Sequence, residues 1–145
     1  MPRLIPAITL LILLAGCEYM PFSGGALEGA PTPAPSDWTH ALDESVIELE
    51  TNPAEPYSVK LWAIGLGPYA YVHAGANFTT WVEHIESDPA VRLLVGKSLY
   101  ELTAERVTSA EEFKRFSDAY ESKYGNRPRN ENIEEVYIYR LLPRS

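Results

Sequence analysis

The pattern of apolar and polar positions divides the chain into three parts. Leu4 to Gly16 is uncharged and follows a single basic residue, Arg3. Residues 19–37 are rich in Pro, Gly, Ala and Ser and show no hydrophobic period, which predicts an irregular segment. From Val46 onward, apolar residues recur with the periods of strands and helices. The length suits one compact domain over residues 38–145.

Alternating apolar and polar positions predict the strands of this domain. The second and third predicted strands form a hairpin around Gly65 to Pro68, and the fourth and fifth form another around Gly96 to Ser98. We predict strands at Val46 to Glu50, Ser58 to Ile64, Tyr69 to His73, Ala90 to Val95, Leu99 to Val107 and Glu135 to Leu142.

Two segments change to a helical period. Thr80–Glu83 and Ser109–Glu112 have the spacing of a capping box, and apolar residues follow each of them at helical intervals. Asp88-Pro89 ends the first, shorter helix, and Gly125 ends the second. The resulting order of elements favours a mainly β, α+β fold, in which an antiparallel sheet of about six strands curls into a small barrel with two helices.

The apolar segment at the start has the size of a signal-peptide core, because a helix that spans a bilayer needs about 20 apolar residues. It ends in Leu14-Ala15-Gly16-Cys17, which is similar to the bacterial lipobox. We therefore predict a lipoprotein signal peptide over residues 1–16, with cleavage before Cys17 and lipidation of that cysteine, including palmitate. The alternatives are an ordinary secretory leader with an incidental cysteine, or an uncleaved anchor.

Two observations extend this prediction. Cys17 is the single cysteine of the chain, so it cannot form an internal disulfide, and acylation is its simplest use. Glu18 follows it where enterobacterial sorting uses aspartate for retention in the inner membrane, which favours the outer membrane, facing the periplasm. Residues 17–37 would then be the lipidated cysteine and a tether that spaces residues 38–145 from the membrane.

The net charge narrows the choice of partners. It is −8 for the whole chain, and it becomes −9 once residues 1–16 are removed, because that segment contains Arg3 and no acidic residue. An acidic protein is repelled by phosphate backbones, so we expect no nucleic acid as a partner. The expected partner is the membrane, through the N-terminal lipid.

Side-chain catalysis has no recognisable pattern in this sequence. No catalytic residue is assigned, and three scattered histidines without a ligand spacing predict no metal site. We expect Glu111 and Glu112 to lie on the solvated face of their helix, near its positive end. Trp62 and Trp81 are expected to be core or dimer-interface aromatics, with the wall of a pocket as the alternative.

Five segments between Val46 and Arg144 carry a resemblance to known proteins: Leu61 to Ile64, Tyr69 to His73, Trp81, Ser87 to Leu93 and Ala119 to Gly125. In these segments the chain resembles the flavin-binding split β-barrel superfamily, in particular its pyridoxamine 5′-phosphate oxidase-like and deazaflavin-dependent nitroreductase-like families. The AY-x-x-KY stretch is similar to that of a small uncharacterised branch of this superfamily. The resemblance implies a split barrel that holds FMN or a deazaflavin at the cleft of a homodimer.

The same resemblance implies a cofactor site at the turn after the third strand and at the start of the next helix, where unpaired amides suit a phosphate. The residues it assigns are His73, Gly75, Asn77, Thr79, Thr80 and Trp81. The turn from Thr51 to Tyr57, however, contains no Lys or Arg where the nitroreductase-like group has a basic turn. The nearest basic residues in the sequence are Lys60, Arg92 and Lys97.

Two hypotheses follow for the function. The first is an envelope lipoprotein whose split barrel is a ligand-binding or interaction module with an unknown ligand and no catalytic machinery. The alternative is a flavin- or deazaflavin-dependent oxidoreductase, in which the cofactor supplies the redox chemistry. The predicted export and the turn without basic residues favour the first.

Overall fold

The computed structural model describes residues 24–43, 46–75 and 79–145. Cys17 and Asn77 therefore lie outside the described residues. The helices are α1 (Thr80–Ser87) and α2 (Ala110–Tyr124). The strands are β1 (Ala30–Pro31), β2 (Ile47–Thr51), β3 (Tyr57–Leu61), β4 (Ala63–Leu66), β5 (Tyr69–Ala74), β6 (Ala90–Val95), β7 (Ser98–Arg106) and β8 (Tyr137–Pro143).

The sheet is antiparallel along the order β3-β2-β6-β7-β8-β5-β4, and β1 pairs in parallel with the start of β7. β3 and β4 follow each other in the chain but lie at the two ends of this order, so the sheet curls until its ends meet near Trp62. This curled half-barrel with two helices confirms the predicted fold class.

The predicted strand from Ser58 to Ile64 is wrong as a single element. Its first half pairs with β2, with Ile47 opposite Leu61, whereas its second half pairs with β5, with Ala63 opposite Val72. Alternation persists through both halves, so the sequence pattern carries no sign of the change of partner. The break at Trp62 is set by closure of the sheet.

The sheet has an inner face, which encloses the main core, and an outer face. Along β5, Ala70, Val72 and Ala74 belong to the inner core, whereas Tyr71 belongs to a second core beneath α2. The second core also contains Phe116 and other aromatic residues of α2. Both faces of β5 are therefore covered by apolar residues.

The segment 24–43, the N-terminal strap, crosses the outer face of the sheet and then enters the barrel. Gly24 exchanges two backbone hydrogen bonds of 2.9 Å with Ser58, at the free edge of β3. Leu27 donates its amide to Glu50 Oε2 at 2.7 Å. Trp38 reaches the inner core, where it is fully buried.

The sequence predicted that residues up to 37 act only as a spacer. In the structure, residues 24–37 pack against the domain instead. Lack of periodicity predicted an irregular segment, but an irregular segment can still pack if it brings apolar side chains, as Leu27 and Trp38 show. The packing is close. A Cβ on Gly65 would lie 1.9 Å from the carbonyl oxygen of Trp38, so only glycine fits there.

The two helices begin differently. Ser109 caps α2 by accepting a hydrogen bond from Glu112 N at 3.4 Å, and Gly125 ends it with φ of 81°. These ends confirm the prediction for the longer helix. The capping box predicted from Thr80 is wrong, because Thr79 is the N-cap of α1 and makes no side-chain cap bond. Within the described ranges, no helix has the length and apolarity needed to span a bilayer.

Candidate functional site

A groove of about 610 Å³ lies between α2, β8 and the turn from β4 to β5. We call it the α2 groove. Its wall combines leucine and tyrosine side chains with two arginines and two glutamates. The residues that line it are Leu66, Gly67, Pro68, Tyr69, Tyr71, Glu105, Glu112, Arg115, Arg140 and Leu142.

Glu112 organises the inner wall of the α2 groove. Its side chain accepts a hydrogen bond from the Tyr71 hydroxyl at 2.9 Å and is paired with Arg140. Arg140 also donates to Glu105 at 2.8 Å. Burial, followed by the hydrogen bond to Glu112, raises the pKa of Tyr71, whereas the hydrogen bonds to the two glutamates raise the pKa of Arg140. The network therefore holds a charged pair and a neutral phenol in fixed positions.

Arg115 is the second cation of this groove. It is exposed and makes no ion pair or hydrogen bond with the described part of the chain, whereas Arg140 has both glutamates as partners. An exposed guanidinium with unused donors can bind a carboxylate or phosphate in a bidentate manner. The α2 groove thus offers an apolar and aromatic wall with an anion-binding group at its side.

A second groove, of about 410 Å³, lies on the other side of β4, between α2 and the strap. Lys123 lines it and donates to two backbone carbonyls, Leu42 O at 2.5 Å and Ala63 O at 2.8 Å. Burial lowers the pKa of Lys123. These bonds tie the strap to α2 and β4, so the main role of Lys123 is to hold these elements together.

The residues that the resemblance assigned to a cofactor lie on different faces of the sheet. The ring of His73 packs between Phe116 and Tyr120, at centroid distances of 5.3 and 5.1 Å, and burial lowers its pKa. Trp81 is buried in the inner core and meets Tyr139 edge-on at 6.0 Å. His73 and Trp81 therefore do not face a common ligand, and Trp81 has the expected role of a core aromatic.

The remaining assigned residues surround the start of α1. Gly75 and Thr80 are exposed, and Asn77 lies outside the described residues. Thr79 Oγ1 is buried and has no hydrogen-bond partner. None of the assigned residues lines the α2 groove or the second groove. A cofactor site at this turn stays a prediction.

The basic residues fit a flavin phosphate only in part. A free hydroxyl and the N-terminus of α1 suit an anion. Arg92, however, is bound to Glu50 at 2.6 Å and to Leu27 O at 3.1 Å, so its guanidinium is occupied. Lys60 and Lys97 are exposed.

The described residues contain no group of three or more His, Cys, Asp and Glu side chains that could hold a metal ion. Glu112 was expected on the solvated face of its helix, but it is only 8% exposed, so that expectation is wrong. The sequence did contain a signal for the burial of Glu112. Glu112 lies four residues before Phe116, on the same face of the helix as the buried aromatic stripe.

Comparisons with known proteins support the fold. No family model and no curated protein matches the chain. A conserved protein of Mycobacterium tuberculosis, Rv2991, is 18% identical over 70% of this chain and 74% of its own, with a TM-score of 0.57. A Listeria innocua protein named for pyridoxamine 5′-phosphate oxidase is 13% identical over 70% and 86%, with a TM-score of 0.56.

A further solved structure, an FAD-binding protein from Mesorhizobium loti, is 16% identical over 70% of this chain and 83% of its own, with a TM-score of 0.51. At such identities the likeness concerns the fold alone. The domain therefore has the split-barrel fold of these proteins, as the resemblance in the sequence implied.

Proposed function

We propose that this protein is a bacterial envelope lipoprotein, anchored through a lipid on Cys17, whose split barrel is a ligand-binding or interaction module. The anchor rests on the Leu14-Ala15-Gly16-Cys17 motif and the single cysteine of the chain. With Glu18 next to the cysteine, the site of residence is the outer membrane, facing the periplasm.

The α2 groove is the binding site in this proposal. The main support for this assignment is that the guanidinium of Arg115 is unpaired among the described residues. It stands beside an aromatic and aliphatic wall, while Glu112 and Glu105 are already paired with Arg140. A ligand with an apolar body and one acidic group would contact both the wall and the cation. The module would bind such a molecule without chemistry by its own side chains.

Titration with 8-anilinonaphthalene-1-sulfonate, which has an aromatic body and one sulfonate, tests this assignment. We expect fluorescence enhancement that Arg115→Ala weakens by roughly tenfold in affinity, because a hydrogen bond to a charged group contributes about 1.5 to 3 kcal/mol. Arg129→Ala is the matched control, since Arg129 is exposed and does not line the groove. Equal affinities of the two variants would contradict the assignment.

Export and lipidation are tested separately. The native protein should fractionate with membranes, and mass spectrometry of its N-terminal peptide should show an acylated Cys17. Cys17→Ser should abolish both the acyl mass and membrane retention. An unmodified thiol, or a cytosolic protein, would contradict the anchor.

A flavin- or deazaflavin-dependent oxidoreductase is the second candidate, and the buried, unpartnered hydroxyl of Thr79 at the start of α1 favours it. Titration of the mature chain with FMN and with deazaflavin, followed by absorption, tests it. Binding in the micromolar range or tighter, weakened by Thr79→Val, would place this candidate first. No binding of either compound would remove it.

A further inference from the structure

Val46 and Trp62 are the large apolar side chains that the described part of the chain leaves exposed, at 45% and 48%. Ile47 and Leu61 form the last register pair between β2 and β3, and Val46 and Trp62 stand just beyond this pair. Trp62 stacks on Tyr124 of α2 at a centroid distance of 4.4 Å. The exposed apolar surface is thus concentrated at one end of β3.

The N-terminal strap begins on the same strand. Gly24 pairs with Ser58 at the free edge of β3, and Trp62 lies four residues further along the chain. At the rise of a strand, this separation is about 13 Å. Alternation places Ser58, Lys60 and Trp62 on the outer face, because Val59 and Leu61 pack against the inner core.

The chain between the anchor and this edge is short. Six residues, 18–23, separate Cys17 from Gly24. Even a fully extended chain would place the two Cα atoms no more than about 25 Å apart. Because the strap is fixed to β3 at Gly24, a lipidated Cys17 would hold the edge of β3 near the membrane surface.

We propose that the surface formed by Val46, Lys60 and Trp62, at the end of β3 that the strap leaves uncovered, rests on the lipid bilayer, with the Trp62 indole at the level of the headgroups. The inference depends on the proposed lipid anchor and adds an orientation to it. Tryptophan suits this position, since its ring is apolar and its N–H is polar. The domain is then held against the membrane in one orientation instead of standing away from it.

The charges of this face indicate what drives the contact. Lys60 is exposed and lies opposite Glu48 in the register between β2 and β3, so the face has no excess of either sign. The mature chain as a whole is acidic and would be repelled by anionic lipids. The lipid anchor and the apolar contact therefore hold the face on the membrane, and added salt should change the contact little.

The tryptophans of the chain make the orientation measurable. The sequence has three, of which Trp38 and Trp81 are 0% and 5% exposed. The lipidated full-length protein is reconstituted in phosphatidylcholine vesicles with and without dibrominated acyl chains. We expect the brominated lipid to reduce the tryptophan emission, and Trp62→Phe to abolish this reduction. Trp81→Phe is the control that keeps it.

A second variant tests the role of the short link. Twenty Gly and Ser residues inserted between Ser23 and Gly24 should weaken the quenching, because the effective concentration of the face at the bilayer falls as the link becomes longer. Iodide in solution should quench Trp62 less in vesicles than in the Cys17→Ser variant without vesicles.

The outcomes separate this inference from the anchor on which it rests. A protein that does not float with the vesicles, or has a free thiol at Cys17, contradicts the anchor itself. The protein could instead float with the vesicles and be acylated, while Trp62 is quenched by iodide and not by brominated lipid. That result contradicts the orientation alone. A third result is that Trp62 becomes better protected from iodide as the protein concentration rises, without quenching by brominated lipid. This would assign the face to a second copy of the chain and overturn the inference.

Discussion

Glu112 and Glu111 are adjacent acidic residues in the first turn of α2 whose surroundings differ sharply. Glu111 is exposed, whereas Glu112 is buried and holds both Tyr71 and Arg140. Loss of a buried carboxylate leaves its partners without their hydrogen bonds and leaves a charge partly uncompensated. The two positions therefore form a matched pair for mutation.

We predict that Glu112→Ala lowers the free energy of unfolding by about 2 to 3 kcal/mol, because the Tyr71 hydroxyl and one side of Arg140 lose their partner. Glu111→Ala should change it by no more than about 0.5 kcal/mol. Urea denaturation followed by circular dichroism measures both. Similar values for the two variants would show that the network contributes nothing to stability.

His73 predicts a dependence of stability on pH. Burial lowers its pKa from 6.5, so the folded protein favours the neutral imidazole. As the pH falls below 6.5, the unfolded chain takes up a proton at this residue that the folded chain does not, and the folded state loses stability. This contribution is fully present above pH 6.5 and decreases below it.

We predict that His73→Phe reduces the loss of stability between about pH 7.5 and pH 5.5, since it removes that titration and keeps the aromatic contacts. The unsubstituted chain is the reference over the same range. Urea midpoints across this range are the measurement. An unchanged slope in His73→Phe would argue against a neutral, buried His73.

At the scale of elements, the two helix starts predict opposite results for similar mutations. Ser109→Ala should cost about 1 kcal/mol, because it removes the side-chain bond that caps α2. Thr79→Ala should change stability by less than about 0.5 kcal/mol, since the Thr79 hydroxyl makes no cap bond. Thermal or urea unfolding compares them. A cost at Thr79 equal to that at Ser109 would contradict the assigned caps.

At the scale of the whole molecule, the N-terminal strap connects parts of the sheet that are distant in sequence. It touches β3 at Gly24, β2 at Leu27 and β7 at Ala30, and then fills the inner core with Trp38. Glu50, which accepts the Leu27 amide, is also the partner of Arg92. The strap is therefore part of the folded domain.

We predict that a chain beginning at Ser36 is less stable than one beginning at Gly24 by at least about 2 kcal/mol, because the buried Leu27 side chain is lost. Leu27→Ala should reproduce part of this loss, and Glu28→Ala, at an exposed neighbour, should not. Urea midpoints of the four proteins provide the test. Equal stability of the two truncated chains would mean that residues 24–35 act only as a spacer.

The sequence alone determined the elements with strong local signals. Alternation located the strands, Ser109 and Gly125 marked the ends of α2, and the order of elements gave the class of fold. The carrying segments implied a split barrel, which the fold confirms. These features depend on local periodicity, capping and turns, so they can be predicted without knowledge of contacts between distant residues.

Only the tertiary structure decided which partners the residues meet. Closure of the sheet divides the predicted strand at Trp62, and packing turns residues 24–37 from an irregular segment into a strap. The pairing of Glu112 with Arg140 joins two residues on different elements that are 28 positions apart in the sequence. Such contacts depend on the register and curl of the whole sheet, and neither can be predicted from a local sequence pattern.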